Sequence, residues 1–123
     1  MQSKIVLLDF AEIRLFNTYA ISTIKEGIVF QRSHFEASLE VFDAHFKGKP
    51  FVSIANRIND YTVDPQIFMT SRSPKIIAIG VVCHTDSSYE ISLFEKAFYA
   101  GVFRIFRNMD KCITWAENYT AED

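Results

Sequence analysis

Glycine and proline are scarce in this chain, four and three among 123 residues, and none of them cluster. That excludes collagen-like, Pro-rich and Gly/Ser-linker architectures, and no repeat or low-complexity tract interrupts the sequence. Cysteine is rarer still. Cys83 and Cys112 match no CxxC spacing, so the expectation is two reduced thiols in a cytoplasmic protein. A basic block is also missing: 13 Lys and Arg stand against 15 Asp and Glu, for a net charge of −2. Phosphate tracking needs a positive stripe, so nucleic acid is not an expected partner. No apolar run approaches the roughly 20 residues that span a bilayer, so no transmembrane segment is expected. The opening MQSKIVLLDF has one Lys, a short apolar run and then Asp9, without a small-residue cleavage site. It reads as a first strand rather than a signal peptide.

What the chain does have is apolar bulk. Hydrophobic residues make up 49% of it, with twelve Phe and one Trp. A chain of this length is expected to form one domain over 1–123, with an aromatic-rich core, burying roughly two thirds of its unfolded surface.

Ile5 to Phe16 looks extended, Asn17-Thr18 can turn the chain, and Tyr19 to Ile24 alternates as a half-buried strand does. Lys25-Glu26-Gly27 is a second turn, and Ile28 to Phe30 ends the strand region. Ser33 and Glu36 have capping-box spacing, followed by Phe35, Leu39, Phe42 and Phe46 on one helical stripe, with Gly48 placed to leave the helix. Strand Phe51 to Ala55 leads into a polar segment, then Asp64 and Pro65 start a short helix as cap and first residue. Ile76 to Cys83 is apolar throughout, which places it inside a sheet covered on both faces. Gly80 within it implies close approach of a helix, with a ligand as the second reading. Ser87 and Glu90 repeat the capping-box spacing before Ile91, Phe94 and Phe98, with Gly101 ending that helix. Val102 to Phe106 is a last strand, and Asn108 caps a final helix with Met109, Cys112, Ile113, Ala116 and Tyr119 inward. The expected order is β-β-α-β-α-β-α-β-α, an α/β fold with a four- or five-stranded mixed sheet.

Chemistry is sparse along this order. His34 and His45 lie on one helix about 16 Å apart along its axis and cannot share an ion. His84 has no partner at ligand spacing, so neither a metal nor a cofactor is expected. There is no GxSxG elbow and no Gly-rich phosphate loop. Cys83 closes an apolar strand and reads as inert. The polar segment is the exception, because ligands of open α/β sheets meet the carboxyl ends of strands. Asn56, Arg57, Asn59, Asp60, Tyr61, Thr62 and Asp64 gather there. They read either as a crossover whose side chains satisfy their own backbone or as a recognition surface. In the second reading a solvent-facing Arg57 offers a planar fork of donors.

Strand Phe51 to Ala55, the turn into Asp64-Pro65, strand Ile76 to Cys83 and the RNMDKCITW approach to the last helix resemble the STAS domain, the SpoIIAA-like anti-sigma-factor antagonist fold. The chain is similar to the small stand-alone STAS-like proteins grouped with the lipid-binding CRAL-TRIO fold. In the antagonist branch a phosphorylatable Ser opens the helix after this strand, in a DSSG-like setting. Here that place reads VDPQIF, with Asp64 and no Ser, so the resemblance does not bring the phospho-switch with it. It implies a non-catalytic regulatory or protein-interaction module, meeting a partner protein or its own copy through Asn56 to Asp64 and the adjoining helix. A small lipophilic ligand in a Phe-lined cavity is the alternative, and an enzyme using Asp60 and Asp64 at that edge is a second one. A cavity of several hundred Å³ would favour the ligand, and an exposed apolar patch a protein partner.

Overall fold

The computed structural model describes residues 3–70 and 73–119. Strands β1 (Lys4–Leu7), β2 (Ala11–Leu15) and β3 (Tyr19–Ile24) open the chain as an antiparallel meander. The stretch from Ile5 to Phe16, expected to be continuous, is therefore a hairpin. Asp9 and Phe10 form its tip, closed by the Leu8 N–H donating to the Ala11 carbonyl at 2.8 Å. Phe10 turns inward there and is buried with Ala11 and Ile24, which explains why an apolar residue occupies a turn.

After β4 (Val29–Phe30) come α1 (Arg32–Phe46), β5 (Phe51–Arg57), β6 (Thr62–Val63), α2 (Pro65–Thr70), β7 (Ile76–Cys83), α3 (Asp86–Lys96), β8 (Phe103–Phe106) and α4 (Met109–Asn118). The main sheet has six strands in the order β1-β2-β3-β5-β7-β8, one or two more than expected. From β3 onward every pairing is parallel, with a helix in each crossover. The miniature sheet β4-β6 ties the segment before α1 to the one before α2. β1 and β8 are the outer strands, four residues each.

Strand alternation assigns the faces. On one side Phe42 and Phe46 of α1 pack on Phe51 and Ile76, the Phe46 and Phe51 rings stacked at 4.1 Å. Helices α2 and α3 cover the same side over Val81, Cys83 and Phe103. On the other side α4 alone lies over Val52, Ile54, Ala78 and Val82, through Cys112 and Ala116. Met109, Ile113 and Tyr119 join that contact, so the inward face expected for α4 is the one observed. Its close approach is made possible by Gly80: a Cβ there would stand 2.9 Å from Cys112 Sγ and 2.9 Å from a Trp115 ring carbon. Burial pushes the Cys112 thiol up to about 12.

The helix starts needed correction at two places. α1 is capped by Gln31, whose backbone N–H donates to His34 Nδ1 at 3.1 Å, rather than by Ser33. α3 is capped by Thr85, whose hydroxyl accepts from the Ser88 N–H at 3.1 Å, rather than by Ser87. α3 also stops at Lys96, short of Gly101. Asp64 and Asn108 cap as expected, accepting from the Gln66 and Lys111 backbone N–H groups at 3.0 and 2.9 Å.

The largest departure is the rotation of α3. Ile91, Phe94 and Phe98 were the expected inward positions, yet Ile91 is 44% and Phe94 61% exposed. Ser92 and Glu95 are buried in their place. Each observed inward residue follows an expected one by a single position, a turn of about 100° about the helix axis.

Replacing Gly80 by Ala should lower stability by about 1–3 kcal/mol, because the new methyl forces α4 away from the sheet. Urea midpoints of the two proteins measure this. An unchanged midpoint would mean that α4 does not sit so close in solution.

Candidate functional site

Residues of β5 alternate between the two faces, and this separates the predicted site. Phe51, Ser53, Ala55 and Arg57 share the face covered by α1, α2 and α3. Asn56 points the other way, its amide oxygen accepting from His84 Nε2 at 2.8 Å. Asn59 donates its amide to the Ile24 carbonyl at 2.9 Å. The exposed Asp60 uses its backbone, accepting from the Gly27 N–H at 2.8 Å and donating to Glu26 Oε1 at 3.0 Å. Thr62 sits exposed in β6, its N–H donating to the Ile28 carbonyl. Asp64 is occupied as the α2 cap. Four of these seven side chains or backbones thus stitch the crossover to the turn after β3 and to α2. They do not converge on one point.

Arg57 and Tyr61 behave differently. Arg57 was expected to face solvent and is only 7% exposed. Inward parity on β5 carries it under α3, where its guanidinium meets three partners. Nε donates to the Tyr61 hydroxyl at 3.1 Å, Nη1 to Ser92 Oγ at 3.1 Å, and Nη2 to Glu95 Oε2 at 2.8 Å. Tyr61 also lays its ring against the guanidinium, 5.0 Å from its centroid. The Arg57–Glu95 ion pair is buried at both ends.

Ser92 extends this network. Its single hydroxyl proton goes to the Ser88 carbonyl at 2.8 Å, so its oxygen accepts from Arg57. The Cys83 thiol, 3.3 Å away, must then be the donor in its contact with Ser92. Cys83 is thus held as a buried hydrogen-bond donor.

Ser92 and Glu95 are absent from the residues that the sequence offers for the site. Their signal was present as spacing: Ser88, Ser92, Glu95 and Tyr99 lie at i, i+4, i+7 and i+11, one face of a helix. The competing stripe of Ile91, Phe94 and Phe98 is more hydrophobic and took precedence.

Against the same side of the sheet lies a cavity of about 130 Å³, walled by residues of β3, β5, β7 and β8 and of α1, α2 and α3. Arg57 and Glu95 reach its wall. Among the described residues no group of three His, Cys, Asp or Glu could hold a metal ion. No helix there is long and apolar enough to cross a membrane.

Burial holds the Glu95 carboxyl above its ordinary range, while Arg57 draws it back down. Removing Arg57 takes away that counter-pull and leaves a buried charge alone, so Arg57→Met should cost about 3–5 kcal/mol near neutral pH. A carboxyl whose folded-state pKa is raised supports the fold below its unfolded pKa, and that support is lost as pH rises through the folded value. The deficit of Arg57→Met should therefore shrink as pH falls from about 7 toward the ordinary carboxylate range. Replacing Glu95 by Met as well should restore most of the loss. Urea midpoints across this pH range check all three, and a deficit that ignores pH would mean the pair does not form in solution.

No protein-family model matches the chain, and no curated protein does. A solved structure does match in shape: a crystal structure of an uncharacterised protein of the DUF3478 family, with a SpoIIAA-like fold, from Shewanella loihica PV-4. The match covers 94% of this chain and 92% of that one with a TM-score of 0.58, at 10% sequence identity. At that identity the likeness speaks for architecture alone. Six strands of mixed direction with helices on both faces give this chain a STAS-like, SpoIIAA-like α/β fold.

Proposed function

We propose that the protein is a non-catalytic interaction module that docks a partner protein, or a second copy of itself, on the outer face of α3. The observation that carries this is the inverted amphipathicity of that helix. Ile91, Leu93 and Phe94 are 44%, 47% and 61% exposed, while Ser92 and Glu95 are buried beneath them. A helix normally turns its apolar stripe to the core. Here the buried Arg57 takes the polar face, and the apolar stripe is left for another surface. Exposed apolar groups that recur along one element mark interaction sites, and an exposed aromatic such as Phe94 is a common anchor. Phe94 makes an edge-on contact with Phe98, ring centroids 5.0 Å apart.

The Asn56–Asp64 segment enters this reading as support for the surface rather than as its centre. Through Arg57 and Tyr61 it holds α3 in the rotated position. Its exposed members Ile58, Asp60 and Thr62 remain candidates for contact at the end of β5. Asp64 is committed to the α2 cap and Asp60 lies outside the cavity. Nothing in that arrangement places two carboxylates on one substrate, which favours binding over catalysis.

Phe94→Lys combined with Ile91→Lys should leave the urea midpoint within the small range of surface substitutions, about ±0.5 kcal/mol. The same pair should abolish association. Sedimentation over a wide concentration range reads self-association, and a photo-crosslinking residue at position 94 in cells reads a different partner. A wild-type chain that stays monomeric and yields no crosslinked protein would refute the proposal.

A further inference from the structure

The cavity between the sheet and α1, α2 and α3 has two chemically distinct parts. Most of its wall is apolar, with Phe30, Phe42, Ile67, Phe68 and Val81 around it. The other part is polar, with Ser22, Ser38 and Ser53 and the Arg57–Glu95 pair. Arg57 is committed to Tyr61, Ser92 and Glu95. Glu95 is not fully used in return. Its Oε2 accepts from Arg57 Nη2 in good geometry. Its Oε1 lies 2.7 Å from the same nitrogen, yet among the described residues no donor is aligned to it. One nitrogen facing both oxygens cannot direct a proton well at each. Glu95 is only 6% exposed, so bulk water does not serve that oxygen. A desolvated carboxylate oxygen lacking a donor is costly, and a donor supplied from the cavity would remove the cost.

We infer that the cavity is a binding site for a small, uncharged, mostly apolar molecule carrying one O–H or N–H group, which donates to Glu95 Oε1. Size, charge and polarity are each set by a separate feature. A cavity of about 150 Å³ lined by aliphatic and aromatic side chains takes up benzene. A volume of about 130 Å³ therefore accepts one six-membered ring with a small substituent and falls short of the roughly 300 Å³ where drug-sized ligands begin. An anionic ligand would set a second negative charge against Glu95, and a cationic one a second positive charge beside Arg57, both in low dielectric. The donor requirement follows from Oε1 itself. Water carries the same donor, but it leaves the apolar part of the wall, Phe30, Phe42, Ile67, Phe68 and Val81, without a partner. Occupancy of the cavity and docking on the outer face of α3 are separate events with separate readouts.

Three probes of similar size test this on the intact chain: phenol, benzene and benzoate. Backbone amide shifts of ¹⁵N-labelled protein are followed as each is added. Phenol should move the amides of Ser53, Ala55, Val81 and Glu95, and bind at least about tenfold more tightly than benzene, the scale of one hydrogen bond to a charged acceptor. Benzoate should not bind. Equal affinity for phenol and benzene overturns the role of Glu95 Oε1, and benzoate binding like phenol overturns the charge assignment. No shift with phenol up to its solubility limit overturns the site and leaves water as the occupant. Ala55→Leu, which fills the cavity from the strand side, should abolish phenol binding; a folded variant that still binds places phenol elsewhere and refutes the site. Should Ala55→Leu not fold, the wild-type shift map decides, because phenol binding that leaves those four amides unmoved refutes the site equally.

Discussion

A single buried ion pair sets the geometry on one side of this molecule. Arg57 ends the strand face of Phe51, Ser53 and Ala55 and is buried, so it needs an anion beneath α3. Glu95 can supply it only if α3 turns its polar face inward. That turn draws Ser92 into the network, makes the Cys83 thiol a donor, and leaves Ile91 and Phe94 outside. Buried pairs of this kind are weak evidence for net stability, since both ions lose their hydration. Their better-attested effect is to specify one arrangement over its neighbours. Here the neighbour is a helix rotated by one residue with a fully apolar interface. Burying Arg57 under such a surface would leave its charge uncompensated, which disfavours that alternative far more than the apolar contact would favour it.

The two faces of the sheet are built on different physical terms. Beneath α4 the contact is close, with the space of a missing side chain at Gly80 taken by Cys112 and Trp115. Beneath α1, α2 and α3 the rings of Phe42, Phe46 and Phe51 pack tightly at one end. Toward Arg57 the packing loosens into a cavity with a polar wall. Protein interiors pack like molecular crystals, so a void at this place is a property of the arrangement rather than general slack. Four strands of the main sheet and three helices meet there, with the Arg57–Glu95 pair at the wall under α3.

Most of the architecture was legible in the sequence because it rests on local signals. The Phe stripe of α1, the eight apolar residues of β7, the caps Asp64 and Asn108, and the small residue at Gly80 each encode their own environment. The opening hairpin was not legible, since its tip carries Asp9 and a buried Phe10 instead of an Asn-Gly or Asp-Gly pair. Arg57 was misplaced because a charged side chain at a strand end is usually solvated. Its parity with Phe51, Ser53 and Ala55 pointed inward all the same. α3 was misread because its outcome is decided by Arg57, 38 positions before Glu95. No local hydrophobic pattern contains a partner that distant.

The short outer strands carry a consequence for how this protein meets others. A sheet can be extended by any chain that pairs with its unbonded edge, and natural proteins blunt such edges by brevity and charge. At one border only Lys4 to Leu7 is offered; at the other, Phe103 to Phe106, which includes Arg104. Four residues limit the number of backbone bonds that an added strand could make. Such borders leave few unpaired backbone groups to template another strand, which guards this sheet against edge-to-edge association.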